Sequence, residues 1–176
     1  RNAMNATAAN AQTGTVAIGK DALTAITSGA GNTAIGYTAA SAIQTAPGNV
    51  AIGYDAMKLV TATDGHNVAI GHGVMDAGTG GYFNICIGKD TGSSFANVNV
   101  GTTVLIGHEA GDAINNTGAS NTIAIGRSAL GAATAGAGNI AIGYQAALNV
   151  VTGANNIVIG KDAYDAADGS ESGMIA

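Results

Sequence analysis

The chain has 176 residues, of which 28 are Gly, 10% are charged and 4% aromatic, with no Trp and a formal net charge of −5. Hydrophobic residues reach 47%, but Ala supplies much of that, so the large side chains that would fill one thick core are scarce. Six scattered Lys and Arg argue against nucleic acid, which needs a basic stripe, and no apolar run approaches the 18 residues of a membrane helix.

The lead Arg1-Asn2-Ala3-Met4 lacks the apolar segment of a signal peptide and reads as a possible tag remnant (1–3) ahead of a start at Met4. The lone Cys86 leaves no partner for an intrachain disulfide.

From there the chain repeats itself. Ile-Gly occurs at Ile18, Ile35, Ile52, Ile70, Ile87, Ile106, Ile125, Ile142 and Ile159, with spacings of 17, 17, 18, 17, 19, 19, 17 and 17 residues. Two residues before each Ile stand Val16, Thr33, Val50, Val68, Ile85, Val104, Ile123, Ile140 and Ile157. Three before it stand Asn32, Asn49, Asn67, Asn84, Asn139 and Asn156, with Thr15, Thr103 and Thr122 in the other copies. Four after it Ala prevails, and eight after it a second apolar column contains Ile26, Ile43, Val60, Phe95, Ile114 and Val150.

Short β-branched runs bounded by Gly and Asn predict strands. A period of 17–19 residues holds one coil of a solenoid, whose neighbours satisfy its backbone hydrogen bonds. The expected fold is therefore all-β: a parallel β-solenoid of about nine coils over residues 13–164, on the order of 43 Å long. Residues 1–12 form a lead, and 165–176 a tail or the start of a next segment. Gly or Asn at the far corner (Gly14, Gly31, Gly48, Gly138, Asn155) supplies positive φ, and stacked Asn side chains are expected to bond along the column.

Side-chain alternation puts the Ile column and the one two before it on the same face, which we expect to fill the coil. The column between them is apolar in every copy: Ala17, Ala34, Ala51, Ala69, Cys86, Leu105, Ala124, Ala141 and Val158. A strand apolar on both faces is buried on both. This column is therefore expected to line a subunit interface around a common axis. The alternative is a monomeric solenoid with an exposed Ala-rich face.

The segments Asn32-Thr33-Ala34-Ile35-Gly36, Asn49-Val50-Ala51-Ile52-Gly53, Asn67-Val68-Ala69-Ile70-Gly71 and Asn139-Ile140-Ala141-Ile142-Gly143 resemble the head repeats of YadA-like trimeric autotransporter adhesins. Repeats of the type N-T-A-I-G-Y-x-A-L in phage tail-fibre proteins are similar. The match runs over residues 15–164. It implies a left-handed parallel β-roll assembled as a homotrimer, on a bacterial cell surface or a phage virion. The period here is longer than in the adhesin heads, and Tyr37, Tyr54 and Tyr144 lean toward the fibre type. The implied function is structural and adhesive, with a host-surface glycan or extracellular-matrix protein as partner and no membrane insertion by this segment. A purely mechanical spacer, or a carbohydrate-active tailspike module, is the alternative.

Two residues after each Ile runs a column of long polar-tipped side chains: Lys20, Tyr37, Tyr54, His72, Lys89, His108, Arg127, Tyr144 and Lys161. Seven of them, Tyr37, Tyr54, His72, Lys89, His108, Arg127 and Tyr144, are candidate receptor contacts, strengthened by multivalency. The competing reading is solvated corner residues. His72 and His108 stand two coils apart, too far to share a metal, so no metal or cofactor is expected. There is no G-x-S-x-G, H-E-x-x-H or P-loop, and the Asp column recurs in register as surface decoration does, so no catalysis is expected. The irregular stretch 78–103 is where a site could break the repeat; its Tyr82, Phe83 and Phe95 are expected to plug a widened coil.

Overall fold

The computed structural model describes residues 3–4, 13–61, 65–77, 81–95, 100–115, 117–164 and 170–176. The lead residues 5–12, the glycine pattern 78–80 and the acidic residues 165–169 lie outside the described residues.

Each Ile-Gly motif closes a three-residue strand. In chain order these are β1 (Val16–Ile18), β2 (Thr33–Ile35), β3 (Val50–Ile52), β4 (Val68–Ile70), β5 (Ile85–Ile87), β6 (Val104–Ile106), β7 (Ile123–Ile125), β8 (Ile140–Ile142) and β9 (Ile157–Ile159). They form one parallel sheet in sequence order, each pairing only with the copies before and after it. Register follows the repeat: Ala17 opposes Ala34, Ala51 opposes Ala69, and Ala141 opposes Val158. The all-β solenoid expected from the period is the observed fold.

The chain turns at glycine because only glycine fits. A Cβ on Gly19, Gly36 or Gly53 would strike the carbonyl oxygen of the glycine one coil on, and on Gly107 it would lie 2.6 Å from the oxygen of Gly126. The φ angles there, between 129° and 142°, are closed to L-residues in any case. At the opposite end of the strand, Gly14, Gly31, Gly48 and Gly138 take φ of 67–73°, as expected for that corner.

The two faces of the strand are the reverse of the sequence expectation. Ala34, Ala51, Ala69, Cys86, Leu105, Ala124, Ala141 and Val158 are fully buried inside the coil of a single chain, and Ala17 packs on that core from the first coil. They cannot line a subunit interface. The Val and Ile columns on either side point outward, half-exposed along the rod and open at its ends. Volume is the physical reason. A coil of one short strand and a turn is too thin for two facing rows of β-branched side chains, so the small column goes in. Where the inner column does carry a large residue, Leu105, the facing positions are Gly92 and Gly111. A Cβ there would come within 3.2 Å and 3.0 Å of the Leu105 methyls.

The rest of the interior comes from the far side of the coil. Ile26, Ile43, Val60, Phe95, Ile114 and Val150, the column eight residues after Ile, are buried as expected. Leu23, Met57, Met75 and Leu130, five after Ile, join them. Each such side chain contributes roughly 1.5–3 kcal/mol by leaving water. Those four adopt φ of 48–53°, and their backbone N–H groups, Leu130 for example, donate to the neighbouring coil.

A polar column runs through this apolar interior. Asn49 N–H donates to Asn32 Oδ1 at 2.8 Å, Asn67 N–H to Asn49 Oδ1 at 3.1 Å and Asn84 N–H to Asn67 Oδ1 at 3.0 Å. The Nδ2 groups donate across the coil to carbonyls such as Ala46, Gly81 and Val100, each at 2.8 Å. The stacking expected of this column is present, and it satisfies backbone groups that the corner leaves without strand partners.

The last residues rejoin the repeat. Ile175 bridges Ile157 in parallel, Gly173 takes φ 74°, and Asn156 Oδ1 accepts the Met174 N–H at 3.0 Å. Residues 173–176 thus occupy the first positions of a tenth repeat. Met4 likewise sits on the first coil, donating to the Ala22 carbonyl at 3.0 Å.

Candidate functional site

Three surfaces bear side chains that the fold leaves unused: the outer sheet face, the ladder beyond its glycine edge, and the corner before β4 and β5.

The outer sheet face carries the nine Ile of the motif and the column two before them. That makes seventeen aliphatic side chains and Thr33 in two straight rows. Nine strands at the usual spacing make the strip about 38 Å long and about 10 Å wide. Its contiguous apolar area is on the order of 400 Å², near the upper end of what a lone soluble domain leaves in water. The sequence pointed to such a strip but assigned it to the wrong column. The usable signal was side-chain volume.

The ladder holds all seven candidate receptor contacts, at the places the repeat predicts. Tyr37 and Tyr54 stack with centroids 5.1 Å apart and planes 12° apart, and Tyr54 stacks on His72 at 5.1 Å and 6°. Lys20 lies over Tyr37 at 5.0 Å, and Arg127 and Lys161 flank Tyr144 at 5.8 and 5.6 Å. Stacking of this kind uses up the ring faces, so the ladder offers phenol hydroxyls, imidazole edges and cations to a ligand. Tyr37, Tyr54, His72, Lys89, Arg127 and Tyr144 are exposed, and His108 is half-buried.

Acids flank the ladder on the next column. Lys89 pairs with Asp90 at 2.6 Å, Lys58 with Asp55 at 3.0 Å, and His108 Nδ1 lies 3.3 Å from Glu109 Oε2. The hydrogen bond and charge of Asp90 raise the Lys89 ammonium above its ordinary value, as Asp21 does for Lys20. Burial pushes the Asp55 carboxyl upward, but hydrogen bonds from the Thr38 hydroxyl and from Lys58 outweigh it and hold the group below its ordinary value. Asp76 and Asp112 move the other way, raised first by burial and then by neighbouring acids. Inside the coil, burial alone pushes the Cys86 thiol far up, which keeps it unreactive.

The third surface breaks the repeat. His66 and Phe83 occupy the corner that Gly fills in four other copies and Thr102, Asn121 and Asn155 in the rest, with φ of 63° and 56°. Their rings stack at 5.4 Å, and Tyr82 meets Phe83 edge-on at 5.8 Å and 88°. Of the three residues expected to plug a widened coil, only Phe95 does so, fully buried. Phe83 is 58% exposed and Tyr82 39%, because their columns sit at the outer bend of the corner. Among the described residues no cluster of His, Cys, Asp and Glu could hold a metal, and no helix is long and apolar enough to cross a membrane. Compared with protein-family models, curated proteins and solved structures, the chain matches none.

Proposed function

We propose that this chain is a rod segment of an extracellular fibre, in which copies share their outer sheet faces around a common three-fold axis and present the remaining surface for attachment. The observation that carries this reading is the aliphatic strip. Two straight rows of Val and Ile, joined by Thr33, run unbroken by charge from β1 to β9 and stay partly exposed in the single chain. A partner of the same length and period buries them along their whole length, and a second copy of the chain has both. Three copies around an axis bury both rows of each strip at once, since each row then meets the facing row of a neighbour.

On this reading the ladder from Lys20 to Lys161 stays at the rim of the assembly. It repeats about every 5 Å along the rod and three times around it. Weak contacts to a glycan or matrix protein then add through multivalency. The work is done by rigidity and repetition, without covalent chemistry. The sequence resemblance to adhesin-head and tail-fibre repeats points the same way.

The test is solution mass by light scattering of the full chain. A mass near three times 16.9 kDa supports the reading. A monodisperse monomer at micromolar concentration overturns it. Binding of the trimer to glycan and matrix-protein arrays then tests the attachment role.

A further inference from the structure

Three of the four cations in the ladder lie over a tyrosine ring of their own chain, Lys20 on Tyr37 and both Arg127 and Lys161 on Tyr144. The fourth, Lys89, has His72 and His108 as its column neighbours and pairs sideways with Asp90 at 2.6 Å. At the opposite end of β5, on the same coil, Tyr82 and Phe83 stand exposed, and no Lys or Arg among the described residues lies over either ring.

Those rings are built in. A Cβ on Gly101 would come within 2.8 Å of the Tyr82 ring, and one on Gly48 within 2.5 Å of His66 Nδ1. The neighbouring coils therefore lack side chains where the rings lie. His66 and Phe83 hold a left-handed backbone that bulky residues rarely adopt, at a corner that glycine fills in four other coils. Phe83, the most exposed large apolar side chain between the end coils, is thus presented by a left-handed backbone and stacked on His66.

A ring of copies with cyclic symmetry has heterologous contacts, so the strand-start corner of one copy faces the strand-end corner of the next at equal height. We infer that, in the assembled rod, Lys89 of one copy seats on the Tyr82–Phe83 pair of the next, and that this contact fixes the axial register. The inference rests on the shared-axis assembly proposed above. Such a rod needs a key, because the aliphatic strip nearly repeats itself every coil. A slip of about 4.8 Å brings Val and Ile back against Val and Ile. The clasp does not survive that slip. One coil away, Lys89 meets Gly65 and His66 or Gly101 and Thr102, and the rings meet a histidine in place of the ammonium.

The test uses the full chain with a nitroxide on Val151→Cys, an exposed site; Cys86 is buried and stays unlabelled. In the parent trimer, electron–electron distance measurement should give a single narrow distance. Lys89→Met should keep the trimer mass and add further distances from copies displaced along the axis. Phe83→Gly with Tyr82→Ala should do the same and still fold, since Gly31 and Gly138 carry this corner in other coils, each preceded by Ala. The combined variant should be no broader than either alone, because both sides of one contact are then gone. A trimer whose single distance survives both changes overturns the clasp and leaves the assembly intact. Unchanged register with lost glycan binding in the ring variant also overturns it, and assigns the rings to a ligand. A monomeric parent overturns the clasp together with the assembly.

Discussion

Asn84 Oδ1 accepts two hydrogen bonds from Thr103 in the next coil, from its backbone N–H at 3.0 Å and from its hydroxyl at 2.8 Å. The buried polar column thereby passes from asparagine to threonine without losing its thread. The exchange has a limit. Thr103 has no amide to send across the coil, and further along the column the Thr122 hydroxyl has no hydrogen-bond partner. Six of the nine motif copies keep Asn because its side chain both accepts from the next coil and donates to a corner carbonyl.

Replacing Asn67 with Ala should therefore be severe. It strips the Asn84 N–H of its acceptor, the Gly81 carbonyl of its donor, and Asn49 Oδ1 of one of its two donors. All lie in the buried interior, so we expect a loss of roughly 2–4 kcal/mol. Asn67→Thr restores the column contact alone and should recover part of it. Denaturant unfolding of the two variants beside the parent chain gives the comparison.

The glycine after each isoleucine offers a graded test of coil stacking. A Cβ on Gly53 meets the Gly71 carbonyl, which is backbone and cannot swing aside. Gly160 lies under the last full coil, and a Cβ there meets only Ala163 Cβ at 3.5 Å. Both have φ near 140°, so Gly160→Ala should cost about 1–3 kcal/mol from backbone strain alone. Gly53→Ala must in addition push neighbouring coils apart and should lose more than about 4 kcal/mol. Equal melting temperatures for the two would contradict the close-stacking account.

Much of this was legible in the sequence, and for identifiable reasons. Period, corner glycines and the Asn column are each fixed by one backbone requirement repeated along the rod, so they stand out without any knowledge of packing. The facing of the strands is different. Ala51 and Ile52 are both apolar, so alternation alone cannot say which points in. The answer depends on coil thickness, set by Met57 and Val60 on the far side. The compensation of Leu105 by Gly92 and Gly111 was the readable clue, but it needs the coil geometry to be recognised. The aromatic corner escaped because Tyr82 and Phe83 look like core residues by composition, as Phe95 indeed is.

Asp76 and Asp112 give the fold a pH signature. Burial first, then neighbouring acids, raises both above the ordinary aspartate value. An acid whose folded value is raised binds protons more readily when folded. Their contribution is therefore fully present below the ordinary aspartate value of about 4 and is lost as pH rises through their raised folded values. Asp55 has the opposite sign: its contribution is present above about 4 and lost as pH falls through its lowered folded value. Thermal melts should show a maximum on the mildly acidic side. Asp76→Asn with Asp112→Asn should raise the melting temperature at neutral pH and flatten the rise below it. A double variant that melts lower at neutral pH would reverse the assignment.

The strongest contrast lies between two adjacent residues of β4. Ala69 is fully buried inside the coil, whereas Ile70 stands on the outer strip. A carboxylate at position 69 would be sealed in an apolar interior with no cation in reach, and Ala69→Glu should abolish the fold, leaving no strand signal in circular dichroism. Ile70→Glu places the same charge in water as long as the chain is alone. It should leave the circular dichroism of the single rod unchanged. In a trimer three such charges meet near the axis, so light scattering should show the mass of Ile70→Glu falling to that of one chain, and Ile87→Glu should repeat the result one coil on. Two outcomes would separate the faces differently. If Ala69→Glu folds and only dissociates, the small column lies at the interface after all. If Ile70→Glu remains trimeric, the copies meet on some other surface, and the aliphatic strip must be covered by a different partner.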